Sequence, residues 1–322
     1  MKEFLSQENL SRLASRWLPP HRVPRGFAIY TDTTDYFRIG YDDVVLLGGK
    51  PYLIRHNAKE LRFGLDDEVK FWVKRAIDLM NGSLKIIKLV FDEEFISHIG
   101  SRKFKFFRNP RKEARILNLV NGHKNFMHGY SIKDEKGNLV RVLDYIKGNP
   151  LSKYVENLHL DHETYFHEHL PGILDHFVAC IQAIQFLHDH GQKHGDVRRD
   201  HIIMDQESGH YRWIDFDFDY RYKKIRHLYD LFGLGNVLVF LVGQGDVLFT
   251  DLKREDHPAL QTITEDDVNI MFNNRIVNLK KIYPYIPEPL NRVLMHFSKG
   301  ATLAYENTAQ LLSDLAEWRN GF

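Results

Sequence analysis

His194-Gly195-Asp196-Val197-Arg198-Arg199-Asp200-His201, with Ile214-Asp215-Phe216-Asp217 following it, is the densest run of chemically capable side chains in the sequence. The interval between the two pieces reads as one hairpin. His201 to Met204 and Tyr211 to Phe216 are β-branched and aromatic, and Glu207-Ser208-Gly209 supplies the turn. Around this hairpin the chain reads as helix. Upstream, Ile173, Phe177, Ile181, Ile184 and Leu187 recur at helical spacing up to Gly191. Downstream, Ile263 to Tyr283, Pro287 to Phe297 and Asn307 to Trp318 are expected helices.

The first half has a different texture. Ser6 is placed to cap a short helix with Leu10, Leu13, Trp17 and Leu18 on one face, stopped by Pro19-Pro20. Val44 to Leu47 and Tyr52 to Arg55 flank Gly48-Gly49 as a hairpin, and Val69 to Ile77 and Leu84 to Phe91 are strands around Asn81-Gly82. Arg111 to Val120 reads as a helix, Leu139 to Tyr145 as a strand, and Gly148-Asn149-Pro150 as its end. A β-rich half joined to an α-rich half near Asp144 to Asn149 makes an α+β fold with two lobes. The expected domains are an N-terminal extension over 1–60, a first lobe over 61–146 and a second over 147–322.

Composition narrows the class. The chain has 322 residues, 43% hydrophobic and 27% charged, enough for a sizeable core. A net charge of +1 gives no global pull toward nucleic acid or membrane. The single cysteine, Cys180, excludes an internal disulfide and a cysteine metal cluster, which points to the cytoplasm. The N-terminus lacks the apolar core of a signal peptide, and the most apolar stretch, Leu231 to Val242, is too short to span a bilayer. The 18 histidines show no zinc spacing. The basic run Arg102, Lys103, Lys105, Arg108, Arg111 and Lys112, interleaved with Phe104, Phe106 and Phe107, reads as a solvated loop before it reads as an anion-binding surface.

The run at 194–201 resembles the catalytic loop H-R-D-L-x-x-x-N of the protein kinase-like superfamily, and 214–217 resembles its metal-binding D-F-G. Phosphoryl transfer needs an aspartate at the attacking hydroxyl, a basic residue facing the phosphate, and a second aspartate holding metal. By this resemblance Asp196 and Arg198 are catalytic, while Asp215, with His201 in the asparagine position, binds Mg²⁺ or Mn²⁺. Asn81-Gly82 through Ile86-Ile87-Lys88 looks like the turn and strand that present the ATP-binding lysine, with Lys85 competing for that role. Glu113 resembles its helix partner, Leu143-Asp144-Tyr145-Ile146 resembles the adenine hinge through Asp144 and Ile146, and Gly64 alone survives of three loop glycines. Asp230, opening Asp230-Leu231-Phe232-Gly233, looks like the buried aspartate that supports the catalytic loop, beside His194.

The departures are as informative. Only a dozen residues lie between Asp217 and Asp230, so the activation segment with its A-P-E anchor is missing, and Gly195 replaces the arginine before the catalytic aspartate. That pattern looks more like small-molecule kinases and atypical bacterial protein kinases than regulated eukaryotic ones. The resemblance implies an ATP-dependent kinase acting on a hydroxyl of a protein Ser/Thr or a small molecule. The alternative is a pseudokinase, a nucleotide-sensing or scaffolding module.

Overall fold

The computed structural model describes residues 6–60, 68–99, 102–221 and 227–320. They form two compact units, the first drawn from Met1–Glu93, Asn109–Gly122 and Met127–Ile146, the second from Glu94–Arg108, His123–Phe126 and Lys147–Phe322.

The first unit is built on a seven-stranded sheet. Helix α1 (Gln7–Ala14) is capped by Ser6, whose hydroxyl accepts the amide of Asn9. The strands are β1 (Ile29–Tyr30), β2 (Val44–Leu47), β3 (Lys50–Glu60), β4 (Glu68–Asp78), β5 (Leu84–Lys88), β8 (Gly129–Lys133) and β9 (Leu139–Asp144), ordered β1-β2-β3-β4-β5-β9-β8. Gly48 and Gly49 turn β2 into β3 at φ 57° and 79°, a left-handed pair that only a primed two-residue turn demands. The alternation of side chains sorts the sheet into two apolar faces. Tyr52, Ile54, Ala76, Ile87, Val140 and Val142 share one cluster, while Leu53 and Ile77 pack with Leu10, Leu13 and Ala14 of α1 in the other. Helix α2 (Pro110–Leu119) starts at Asn109, whose side chain caps Lys112, and lies on β8 and β9.

The second unit holds two three-stranded sheets and the main helices. Strands β10 (Gly148–Pro150), β11 (Ile202–Asp205) and β12 (Tyr211–Trp213) form one sheet. Gly148-Asn149-Pro150 is thus a short strand in its own right, beyond its expected role as a terminator. Strands β6 (Glu94–Ile99), β7 (Arg102–Arg108) and β13 (Phe218–Arg221) form the other. Helix α3 (Leu151–Glu156) follows β10. Helices α4 (His162–Thr164) and α5 (Leu170–Asp189) run on through a π turn at Tyr165–His169. This continuous helix is long and apolar enough to cross a membrane by length and composition, with half of its most apolar window buried in the fold. Helices α6 (Leu228–Val242), α7 (Phe249–Arg254), α8 (Glu288–Met295) and α9 (Thr308–Asn320) complete the unit.

Two expectations need correction. The basic run is no loop: in β7 Phe104 and Phe106 are buried while Lys103 and Lys105 face out, a period-two strand paired on both sides. The helix expected over Ile263 to Tyr283 does not form. That segment makes two 3₁₀ turns, Glu265–Asp267 and Leu279–Lys281, with Val268 and Asn269 bridging to Ile276 and Ser298 between them. Thr264 and Asp267 close a capping box on a single turn, and Asn269 accepts the amides of Met271 and Phe272. These side-chain bonds satisfy the backbone groups a helix would otherwise use.

Candidate active site

The first unit places Lys88 and Glu113 together. Lys88 Nζ lies 3.0 Å from Glu113 Oε1, and both side chains are buried. Strand register decides which lysine is there. Lys88 pairs Val73 and Arg141, and Lys85 pairs Ala76 and Asp144, so an odd separation along β5 puts them on opposite faces. Lys85 turns to Asp144 at 2.5 Å, which occupies Asp144 with that pair, and Ile146 is half-buried just beyond it. Gly64 lies outside the described residues, as do the loop positions Arg62 and Asp67.

Arg141 is a participant that sequence reading missed. Its Nε donates to Glu113 Oε2 at 2.9 Å, and its two Nη groups donate to the carbonyls of Leu139 and Leu89 at 2.7 and 3.1 Å. Two buried cations therefore share one buried carboxylate. The signal was an arginine inside the apolar strand Leu139-Val140-Arg141-Val142-Leu143, on the face opposite the core residues Val140 and Val142.

In the second unit the catalytic-loop residues converge. Asp230, fully buried at the start of α6, accepts the amides of His194 and Gly195 at 2.8 and 2.9 Å, and His188 Nε2 lies 3.0 Å from the same carboxylate. Gly233, one turn along α6, lets the loop come close, since a Cβ there would sit 2.5 Å from the Val197 carbonyl oxygen. His194 packs edge-on to Trp213 and Phe216 at ring distances of 5.0 and 5.9 Å.

His201 joins the two key aspartates. Its Nδ1 is 2.9 Å from the Asp196 carbonyl oxygen and 3.5 Å from the Asp196 carboxylate, and its Nε2 is 3.6 Å from Asp215 Oδ2. The ring is buried, while Asp196 and Asp215 keep partial exposure. Asp215 adopts φ 62°, a left-handed conformation rare outside glycine and asparagine-like residues and one that costs about 1 kcal/mol. Arg198 lies 3.6 Å from Asp200, and Asp200 also receives the Ser152 hydroxyl at 2.6 Å. Asp200 is therefore committed elsewhere.

Arg108 and Asp217 are further residues whose pairing the sequence reading did not anticipate. Arg108 Nη1 lies 3.0 and 2.9 Å from the two oxygens of Asp217, and its guanidinium covers Phe218 at 4.1 Å. Strand β13 pairs β7 in the register Phe218↔Arg108 to Arg221↔Lys105. Residues 218–221, after the second aspartate, are thus fixed by a sheet.

A family described as the protein kinase domain matches residues 72–235, half of the chain. A putative ribosomal protein S6 kinase alpha-2 from Caenorhabditis elegans is 23% identical over 226 residues, 67% of this chain and 27% of that protein. The 2-5A-dependent ribonuclease of Mus musculus is 28% identical over 178 residues, 51% of this chain and 22% of that protein. This chain therefore spans about a quarter of the length of these curated relatives. Among solved structures, the Mycobacterium tuberculosis PknI kinase domain superposes with a TM-score of 0.50 at 12% identity, over 85% of this chain and 97% of that one. That likeness carries the fold: a β-sheet-rich N-lobe and a helical C-lobe. With the family matched across half its length and the fold agreeing, the chain belongs to the protein kinase domain family.

Proposed function

We propose that this chain is an atypical kinase that transfers the γ-phosphate of ATP to a hydroxyl acceptor, a protein Ser/Thr or a small molecule. The observation that carries the reading is the Asp196–His201–Asp215 chain, braced from below by Asp230. It sets two aspartates with partial exposure at one place, where one receives the acceptor proton and the other holds metal.

The donor set suits Mg²⁺ or Mn²⁺ carried in with the nucleotide. Asp215 offers a carboxylate and His201 a nitrogen, and among the described residues no group of three or more His, Cys, Asp or Glu forms a ready-made site. Such ions take one or two protein ligands and complete their shell with phosphates and water. When bound, the ion neutralises charge on the β- and γ-phosphates. The chain's own residues do the rest. Asp196 orients the acceptor hydroxyl and takes its proton, Arg198 faces the transferred group, and Lys88 with Glu113 holds the α/β-phosphates. Each is a positioning or electrostatic contribution, so losing one costs orders of magnitude in rate.

A pseudokinase is the second reading, favoured by His201 standing where the family has asparagine with its Nδ1 already engaged. Incubating purified protein with γ-labelled ATP and Mg²⁺ or Mn²⁺ separates the two. Label on the protein or on fractionated lysate, absent with Asp196→Asn, supports transfer. ATP binding without any transferred label supports the second reading.

A further inference from the structure

The first unit contains a cavity of about 550 Å³ that the kinase reading does not use. It opens at the Leu84 end of β5, and among the described residues its lining includes neither Lys88, Glu113, Asp144 nor Ile146. Leu84 and Lys88 are four residues apart on one strand, about 13 Å at a strand's rise. The cavity is therefore displaced along the sheet from the buried lysine.

Its lining is cationic. Among the described residues, Arg22, Arg55, Arg75 and Lys85 contribute four positive side chains, with His56 beside them, and no carboxylate lines the space. Two of the four are answered at the edge: Arg55 pairs with Asp42 and Lys85 with Asp144, each at 2.5 Å. The other two are not, since Arg22 and Arg75 form no ion pair among the described residues, and Arg75 rests over the Tyr145 ring at 5.6 Å. Like charges drawn into one concavity repel and focus a positive potential there. Two unanswered guanidiniums in a hollow match the bidentate geometry of phosphate oxygens. Leu18, Ile77 and Leu84 add apolar surface to the same lining. The volume falls in the range of small-molecule sites.

We propose that this cavity is a second ligand site, taking a small molecule with two or more phosphoryl charges on an apolar body. Arg22 and Arg75 are its anchors, and Tyr145 connects it to the segment after β9. The phosphate-recognising part is tested with inorganic pyrophosphate as the probe, in EDTA and at constant ionic strength, by thermal unfolding. The midpoint should rise with pyrophosphate in the wild type. The rise should persist in Lys88→Met. In Arg22→Gln/Arg75→Gln, two exposed changes whose unliganded midpoint serves as the folding control, most of the rise should vanish. The proposal is overturned by an unmoved wild-type midpoint, by a rise that survives in the double variant, or by one that Lys88→Met abolishes.

Discussion

Arg108 holds both oxygens of Asp217 from a single Nη1, in surroundings where neither side chain is more than 3% exposed. The family has glycine at the position of Asp217, and a carboxylate buried there needs a counter-charge. Arg108 supplies it from a strand that lies in sequence before α2. Removing one side of such a buried pair costs about 3–5 kcal/mol. Asp217→Gly alone should therefore destabilise the protein strongly, although it restores the family residue. Combining it with Arg108→Met should recover most of the loss. Chemical denaturation of the three variants measures this, and equal stability of Asp217→Gly and the double variant would count against the pair.

Lys88, not Lys85, should govern nucleotide binding. Lys88→Met removes the buried cation and should weaken ATP binding by tenfold or more in calorimetric titration. Lys85→Met removes the partner of the exposed Asp144, on the face of β5 opposite Lys88, and should change it little. Arg141→Met should also weaken binding, because Glu113 would then neutralise Lys88 alone. Retained affinity in Lys88→Met would refute the assignment.

Lys74 makes stability depend on pH. It is fully buried on β4, donates to the carbonyls of Tyr36 and Ile39 and to Asn57, and burial pushes its pKa from 10.5 down to about 8. Below pH 8 both folded and unfolded chains carry its proton, and the fold bears the full cost of the buried charge. Above pH 8 the folded chain releases the proton first, so stability from this group rises until the unfolded pKa is reached. Cys180 and the buried tyrosines, whose pKa values burial raises, act in the opposite sense above about pH 9. The clean window is pH 8 to 9. There, wild type should gain stability with pH relative to Lys74→Met, and parallel curves would exclude the effect.

The elements that were legible share local signals. Gly48-Gly49 and Asn81-Gly82 announced their turns, Ser6 its helix, and Asp196, Asp215 and Asp230 sat at spacings that a motif records. What stayed hidden depended on distant partners. Arg102–Arg108 shows an alternating pattern, but one of its two neighbours, β13, lies more than a hundred residues away, and until β6 and β13 flank it the charges suggest solvent. Arg141 was invisible for the same reason, since an arginine in an apolar strand becomes meaningful only once Glu113 faces it. At 263–283 apolar residues at near-helical spacing were outweighed by Asp267 and Asn269, whose side chains take over the backbone.

The chain should work without a phosphorylation switch. In regulated kinases a long activation segment is ordered by phosphate on arginines. Here β13 is ordered by β7, and Gly195 removes the usual receptor arginine. Phosphatase treatment should leave turnover unchanged, and a large drop would reveal a switch.

Metal preference should follow His201. Its Nδ1 is used on the Asp196 carbonyl, which leaves Nε2 as the nitrogen directed toward Asp215, 3.6 Å away. That separation suits two ligands on one ion. An imidazole nitrogen is a poor donor for Mg²⁺, which demands oxygen in strict octahedra, and a better one for Mn²⁺. Asp200 does not blur the comparison, because Ser152 and Arg198 already engage it. Turnover should therefore be higher with Mn²⁺ than with Mg²⁺, by several-fold. His201→Asn supplies an amide oxygen in place of the nitrogen and should shrink or reverse that ratio. Asp215→Asn should lower turnover with either ion by at least a hundredfold, as expected for loss of a principal electrostatic contribution. The comparison needs all three proteins with both metals, together with the unfolding midpoint of His201→Asn, since that change also disturbs the bond to Asp196. A folded His201→Asn enzyme whose Mn²⁺/Mg²⁺ ratio matches wild type would show that His201 serves the loop backbone alone and that Asp215 is the metal's sole ligand of the two.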